Sequence, residues 1–597
     1  MDSHHDPFDG DEEAALRYAI ALSLQDPNVP TSSSTVQNPI VLDDSGSEDG
    51  DLEDGPKCPP TPKKPTQLVN KNVRAPATSH SLPVSQTATS GIQPSGFSAL
   101  GLDRKKMEEE RLVRLNKRKA PHDDEVNERH PQRIKIDSQP EHNPLATMTG
   151  TSVHTESSSL PYPKGVVKKT WAYGYPRKDD IKIEEILQKD QLELAVLSSF
   201  QWDDEWLLSK IDIKKTKMVC IAFASSDNQK EEMRANVPRF CFPPMMPAGS
   251  MHSKLQLLKF PKYLRLVIPT GNLVPYDWGE TGVMENMVFL IDLPIAKDSA
   301  NRLNAFGQEL CYFLKESGLE KGLIDSLLKP GRLYDAEPDV SINMFLCTQY
   351  DFSETNQYRF IHTIGQSHVG EAWQRTGYCG LGRAVKSLGL ATTSEVELDF
   401  VVASLGSVNT DLTSAIYNAT QGDNGLREYQ KRTTSGGKKK GAQKPELSYH
   451  PDNFRIYFPS HETSGGTICL QSKWWDSPAF PRELVHDCKS VRPGLLMHTK
   501  ILFVRHQYHD KSQTSWAYIG SANLSESAWG RLVKDRASGQ PKLNCRNWEC
   551  GVLIPMESEA SKSGWETFEK RVPIPMIVPG EAYGKTNSKR PWLFLES

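Results

Sequence analysis

One short pattern occurs twice in this 597-residue chain. Met251-His252-Ser253-Lys254-Leu255 is followed by Gly271-Asn272-Leu273, and Met497-His498-Thr499-Lys500-Ile501 is followed by Ala522-Asn523-Leu524. In each copy His-x-Lys lies in an apolar stretch, and an Asn closes a second apolar stretch, 20 residues after His252 and 25 after His498. On a strand, residues i and i+2 share a face, so each His stands beside its Lys while Ser253 or Thr499 turns away. A single His-x-Lys is uninformative, but its recurrence with a downstream Asn predicts two similar halves, each offering an imidazole, an ammonium and a neutral amide.

That set suits a phosphate. Phosphodiester cleavage needs a nucleophile, a proton donor for the leaving oxygen and positive charge around the non-bridging oxygens. Lys254 and Lys500 are suited to hold the anionic oxygens, and Asn272 and Asn523 add aimed hydrogen bonds as charge shifts in the transition state. The two histidines then divide the remaining roles. No cluster of carboxylates suited to magnesium accompanies the pattern, so neither metal nor cofactor is expected. Around the second copy, Gly520-Ser521-Ala522-Asn523-Leu524-Ser525 is small and polar, which lets a substrate backbone come close.

Composition says how much of the chain can fold around such a site. Apolar residues make up 37% and 41 residues are proline, with mean hydropathy −0.54. A large part of the chain therefore buries too little surface to offset its ordering entropy. Residues 1–160, rich in Ser, Thr, Pro, Asp and Lys, are read as a long disordered tail. From about Tyr162 the aromatics Trp171, Tyr173, Tyr175, Trp202 and Trp206 arrive together, and mixed helical and strand patterns continue to the end, predicting an α/β body. Met218–Ala224, Ile501–Val504 and Tyr518–Gly520 read as buried strands, and Ser299–Ser317 as an amphipathic helix. The stretch from about Thr420 to His450, with Lys438-Lys439-Lys440, reads as a mobile surface insertion.

Charge separates tail from body. Residues 1–54 hold fourteen Asp and Glu against Arg17 alone, net −13, while the remaining 543 residues carry 70 Lys and Arg against 61 Asp and Glu, net +9. Contact with a polyanion accordingly belongs to the body. Ten cysteines form no CxxC pair and no zinc-finger spacing, and are expected as free thiols. The acidic start and the lack of an 18-residue apolar run predict an intracellular protein without a membrane span.

The paired His-x-Lys with following Asn resembles the phospholipase D superfamily. Gly520-Ser521-Ala522-Asn523-Leu524-Ser525-Glu526-Ser527-Ala528-Trp529-Gly530 resembles the tyrosyl-DNA phosphodiesterase family within it. Phe352-Ser353-Glu354-Thr355-Asn356, Ser404-Leu405-Gly406-Ser407, Trp548-Glu549-Cys550-Gly551-Val552 and Lys589-Arg590-Pro591-Trp592 extend the likeness over roughly 160–597. It implies two phospholipase D-like α-β-α halves, 161–345 and 346–597, packed around one active site. It also implies a monomer that removes tyrosine or peptide adducts from DNA 3′ ends, single-stranded or duplex, leaving a 3′-phosphate. His252 is then the nucleophile that forms a covalent phosphohistidine. His498, charged at rest, protonates the leaving phenol and later activates water, with His252 starting neutral. A carboxylate or amide from the opposite half buttresses each histidine: Glu549 for His252, and for His498 Asn286, with Glu285 as the competitor. Ser404, Ser407 and Ser525 match substrate-binding serines. Phe200 is either a stacking aromatic or a core ring, and Pro247-Ala248 replace an aromatic expected near the first motif. A general nuclease, a lipid phosphodiesterase and a ubiquitin or SUMO adaptor with a vestigial body are the alternatives.

The tail carries signals of its own. Residues 11–27 have helical propensity and place Leu16, Ala19, Ile20 and Ser23 on one face, resembling a ubiquitin-interacting motif. Residues 39–45 set Ile40, Val41 and Leu42 before acids and serines, resembling a SUMO-interacting motif that adds a strand to its partner. Basic runs between 104 and 119 read as nuclear import signals, so the expected compartment is the nucleus.

Overall fold

The computed structural model describes residues 160–236, 239–296, 303–319, 350–434, 449–464, 469–470, 475–506, 514–557, 564–583 and 589–593. The tail with its two motifs and basic runs, and Lys438-Lys439-Lys440, lie outside the described residues.

Two mixed sheets organise the body. The first has eight strands in the spatial order Asp180–Ile181, Val166–Thr170, Met287–Pro294, Tyr263–Pro269, Gln256–Lys259, Leu194–Ser198, Lys217–Ile221, Phe240–Cys241. The second has seven: Arg359–Thr363, Glu549–Pro555, Trp516–Gly520, Ile501–His506, Val396–Val401, Phe454–Tyr457, Val485–His486. Taken in this order, the last seven strands of the first sheet match the seven of the second one for one. Each series runs through four antiparallel pairings and ends in two parallel ones. The repeat of the site motif is thus a repeat of whole α/β halves.

The central strands are apolar on both faces because both faces are covered. Leu264, Leu266 and Ile268 enter a core shared with Ile501, Phe503, Ile519, Val552 and Ile554 of the second sheet. Tyr263 and Val267 turn instead to an outer core with Ile183, Ile186, Trp206 and Leu207, from the helices Ile183–Leu187 and Asp204–Lys210. Leu502, Val504, Trp516 and Tyr518 likewise face an outer core with the helices Gly377–Ser387 and Thr410–Thr420. On the first sheet's outer side Arg265 and Asp292, paired in register, form a fully buried ion pair at 2.7 Å.

The expected helix over 299–317 spans Ala305–Glu316, because the Asn304 side chain accepts the Gly307 N–H and fixes the first turn there. Its Phe306 and Phe313 rings pack on Phe360 of the second sheet at 5.8 and 5.7 Å. The expected strand over 218–224 spans Lys217–Ile221. The expected insertion over 420–450 is partly regular: Leu426–Thr434 is a helix whose buried Tyr429 joins the second outer core. Its Glu428 pairs with Arg432, and an apolar residue in a Gly-rich stretch suffices to dock one helical face.

Candidate active site

Each Asn sits three residues beyond a central strand, Asn272 after Tyr263–Pro269 and Asn523 after Trp516–Gly520. The two amides are held alike. Asn272 Oδ1 accepts the Gln201 N–H at 3.4 Å, and Asn523 Oδ1 accepts the Ala403 and Ser404 N–H groups, both at 3.1 Å. The next residues form matching bridges, Leu273 with Trp202 and Leu524 with Leu405. Lys254 Nζ donates to its own His252 carbonyl at 3.1 Å and Lys500 Nζ to the His498 carbonyl at 2.9 Å. His252, Lys254, Asn272, His498, Lys500 and Asn523 are all buried. Ser253 bonds away from them, to Ser198 Oγ and Cys550 Sγ.

The halves exchange support across their seam. His252 N–H donates to the Trp548 carbonyl of the second half, and His498 N–H to the Glu285 carbonyl of the first, each at 3.0 Å. Beyond the backbone, His252 Nδ1 lies 2.9 Å from Glu549 Oε2, and His498 Nδ1 lies 3.3 Å from Asp277 Oδ1. Lys500 Nζ also reaches the Thr270 carbonyl of the first half at 3.4 Å and His498 Nε2 at 2.7 Å. Each imidazole therefore has a buried carboxylate from the other half on Nδ1, which directs Nε2 toward chemistry.

The carboxylate at His498 is Asp277, where Asn286 or Glu285 was expected. Matched through the sheet registers, Asn286 is the counterpart of Glu549. The bonding agrees: the Ser521 hydroxyl donates to Glu549 Oε2 and accepts the Cys550 N–H at 3.0 Å, as the Thr270 hydroxyl donates to Asn286 Oδ1 at 2.8 Å and accepts the Met287 N–H at 3.0 Å. Asn286 spends its Nδ2 on Asp277, however, at 2.8 Å to the carbonyl and 3.3 Å to Oδ1. Asp277 Oδ2 accepts the Asn272 N–H at 2.6 Å, so the acid is aimed by two amides of its own half. Gly271 permits this approach, since a Cβ there would lie 2.7 Å from Asn286 Nδ2. The Glu285 carboxylate points elsewhere, to the Ser490 hydroxyl and the Arg492 guanidinium.

Burial alone pushes the Asp277 and Glu549 carboxyls up. The charges of the facing histidine and of the nearby lysine, with hydrogen bonds from His252 and Ser521 at Glu549 and from the Asn272 N–H at Asp277, outweigh this, and both end below the ordinary range. Both stay ionised where an amide would have been neutral. The signal that points to Asp277 is a lone acid in the apolar run Leu273-Val274-Pro275-Tyr276-Asp277-Trp278.

Phe200 is half-buried with its ring 5.6 Å from the His252 ring, beside the site rather than within a core. Ser404 is buried against Asn523, and Ser407 is exposed. Ser525 caps the Glu526–Trp529 helix, its Oγ accepting the Ala528 N–H at 3.1 Å. Among the described residues no group of three or more His, Cys, Asp and Glu could hold a metal ion. None of the seven cysteines whose side chains are described, Cys550 included, is in a disulfide.

Two α/β halves of matching strand order, each holding a buried His, Lys and Asn and each lending a carboxylate to the other's histidine, define the phospholipase D class of fold. Within that class, the chain belongs to the tyrosyl-DNA phosphodiesterase family, whose model matches residues 166–584. Tyrosyl-DNA phosphodiesterase 1 of Arabidopsis thaliana is 24% identical over 401 residues, 63% of this chain and 58% of its own length. Tyrosyl-DNA phosphodiesterase 1 of Drosophila melanogaster is 23% identical over 397 residues, 63% of each chain. The match to the Arabidopsis protein thus spans less than two thirds of that relative. The crystal structure of yeast tyrosyl-DNA phosphodiesterase aligns over 72% of this chain and all of its own, at 16% identity and TM-score 0.49.

Proposed function

We propose that the chain is a DNA-repair phosphodiesterase that hydrolyses 3′-phosphotyrosyl bonds and related 3′-end blocks, leaving a 3′-phosphate. The observation that carries this reading is the crossed pairing of His252 with Glu549 and His498 with Asp277. Family membership supplies the substrate class.

With Nδ1–H held by Glu549, His252 presents an unprotonated Nε2. It attacks phosphorus, forming the P–N bond as the bond to the phenol oxygen breaks, and the departing electron pair is protonated by His498. Water then attacks phosphorus while His498 takes its proton, the P–N bond breaks, and the electron pair returns to His252. Asp277 stabilises the imidazolium form of His498 at each turn of this cycle. Without substrate, the Lys500 ammonium faces His498 Nε2. A phosphoryl oxygen is a stronger acceptor for it, so substrate binding draws Lys500 away and leaves Nε2 to carry a proton. Lys254 and the two asparagines complete the shell around the non-bridging oxygens. Ser404, Ser407 and Ser525 hold the DNA backbone in this reading, and Phe200 stacks beside the reacting group.

The proposal extends to the two halves 161–345 and 346–597, a monomeric enzyme and a nuclear setting. It includes a tail, 1–160, that recruits the body through ubiquitin at Leu16, Ala19, Ile20 and Ser23 and SUMO at Ile40, Val41 and Leu42. The test is turnover of a 3′-phosphotyrosyl oligonucleotide in the presence of EDTA. The expected result is full conversion to the 3′-phosphate; no conversion, or conversion only after magnesium is restored, contradicts the assigned chemistry.

A further inference from the structure

The registers that equate Asn286 with Glu549 also equate Glu285 with Trp548. Each of these residues gives its carbonyl to the N–H of the other half's histidine. Each also uses its side chain on the segment that leads into that histidine. Trp548 Nε1 donates to the Pro244 carbonyl at 3.0 Å, eight residues before His252. Glu285, fully buried, takes the Ser490 hydroxyl and the Arg492 guanidinium, eight and six residues before His498. Arg492 is tied further into the first half by Nη2 on the Thr170 carbonyl at 2.9 Å. Between clamp and histidine, Leu496-Met497 pairs in parallel with Met284-Glu285, and Leu496 N–H donates to the Val283 carbonyl at 2.9 Å. The same device is thus built twice, neutral behind His252 and ionic behind His498.

We propose that the Glu285–Arg492 pair is a positioning element for His498, setting the rate of the step in which that imidazole works as a base. This rests on the reading of the site given above. Neither residue touches the reacting atoms. Glu285 fixes the carbonyl that holds the His498 N–H, and its neighbour Asn286 aims Asp277, so the pair anchors the main chain at both ends of the His498–Asp277 contact. Loss of the anchor lets the imidazole drift from its aligned pose, and misplacement near 1 Å costs on the order of 10²-fold. Formation of the intermediate depends less on the anchor, because a phenoxide leaves readily and the proton from His498 can reach it late in the step, whereas release needs an aligned base for water.

Single-turnover kinetics with a 3′-phosphotyrosyl oligonucleotide test this by separating the rate of adduct formation from the rate of adduct release. Arg492→Gln and Glu285→Gln are expected to form the phosphohistidine within about threefold of the unmodified chain and to release it at least tenfold more slowly, with KM unchanged. Arg492→Lys, which keeps the charge but not the fork, should recover part of the release rate. The double substitution Glu285→Met with Arg492→Met removes the buried charges together, so it keeps the fold if either single change does not, and should show the same slow release. Equal slowing of both steps, or unchanged release in folded variants, overturns the proposal alone. An unmodified chain that forms no adduct overturns the reading of the site and this proposal with it.

Discussion

At the residue scale, the cluster is two copies of one bonding scheme with a single substitution of chemistry. Where the second half brings an acid directly to its partner's histidine, the first brings Asn286, which hands the role to Asp277. Asp277→Asn removes the charge that favours the His498 imidazolium and should slow release of the covalent intermediate by about 10²–10⁴-fold. Rapid-quench measurement of release checks it, and a rate within threefold of the unmodified chain would place the needed charge elsewhere. The histidines, lysines and asparagines were legible in the sequence because period-two spacing and repetition announce them. Asp277 was not, because it reaches His498 from a loop whose course no periodicity describes, and because the registers that make Asn286 look like the counterpart of Glu549 are correct while the bonding is not equivalent.

At the element scale, the site depends on how closely strand ends approach. Gly271→Ala puts a Cβ against the Asn286 amide and should displace Asn286 from Asp277. Its expected signature is a slowed release step with little change in substrate affinity, read from kcat against KM; a variant with unimpaired turnover would show that the Asn286–Asp277 contact is dispensable. Farther from the chemistry, Arg265→Met leaves Asp292 as an unpaired charge inside the first outer core and should lower stability by about 3–5 kcal/mol, measured by denaturant unfolding. Strand identity was legible here, since Val, Ile and Leu fill Met287–Pro294 and Tyr263–Pro269. Boundaries were less so: an Asn304 cap starts one helix at Ala305, and Tyr429 docks a helix inside a stretch whose composition reads as loop.

At the scale of the whole molecule, the halves are joined by the shared core and by charges that each half lends to the other's histidine. Asp277 and Glu549 sit below their ordinary range when folded. Groups depressed in this way add stability that is complete above the unfolded pKa values, about 4, and disappears as pH falls through the lower folded values. The double variant Asp277→Asn with Glu549→Gln should therefore be less stable than the unmodified chain at pH 7, with the difference in Tm closing below about pH 4. A difference independent of pH would mean that these carboxylates do not link the halves through charge. That two halves exist was legible from the repeated motif alone. That they support one another crosswise was not, because His498 lies 221 residues from Asp277 and His252 lies 297 residues from Glu549, and such distances leave no local pattern.

The most direct measurement is covalent trapping on denaturing gels with a 3′-phosphotyrosyl oligonucleotide. If one phosphorus is worked on from both halves with divided roles, His252→Ala leaves no protein–DNA adduct, while His498→Asn accumulates one that persists. Equal adduct in both variants, or none in either alongside an active unmodified chain, would contradict it.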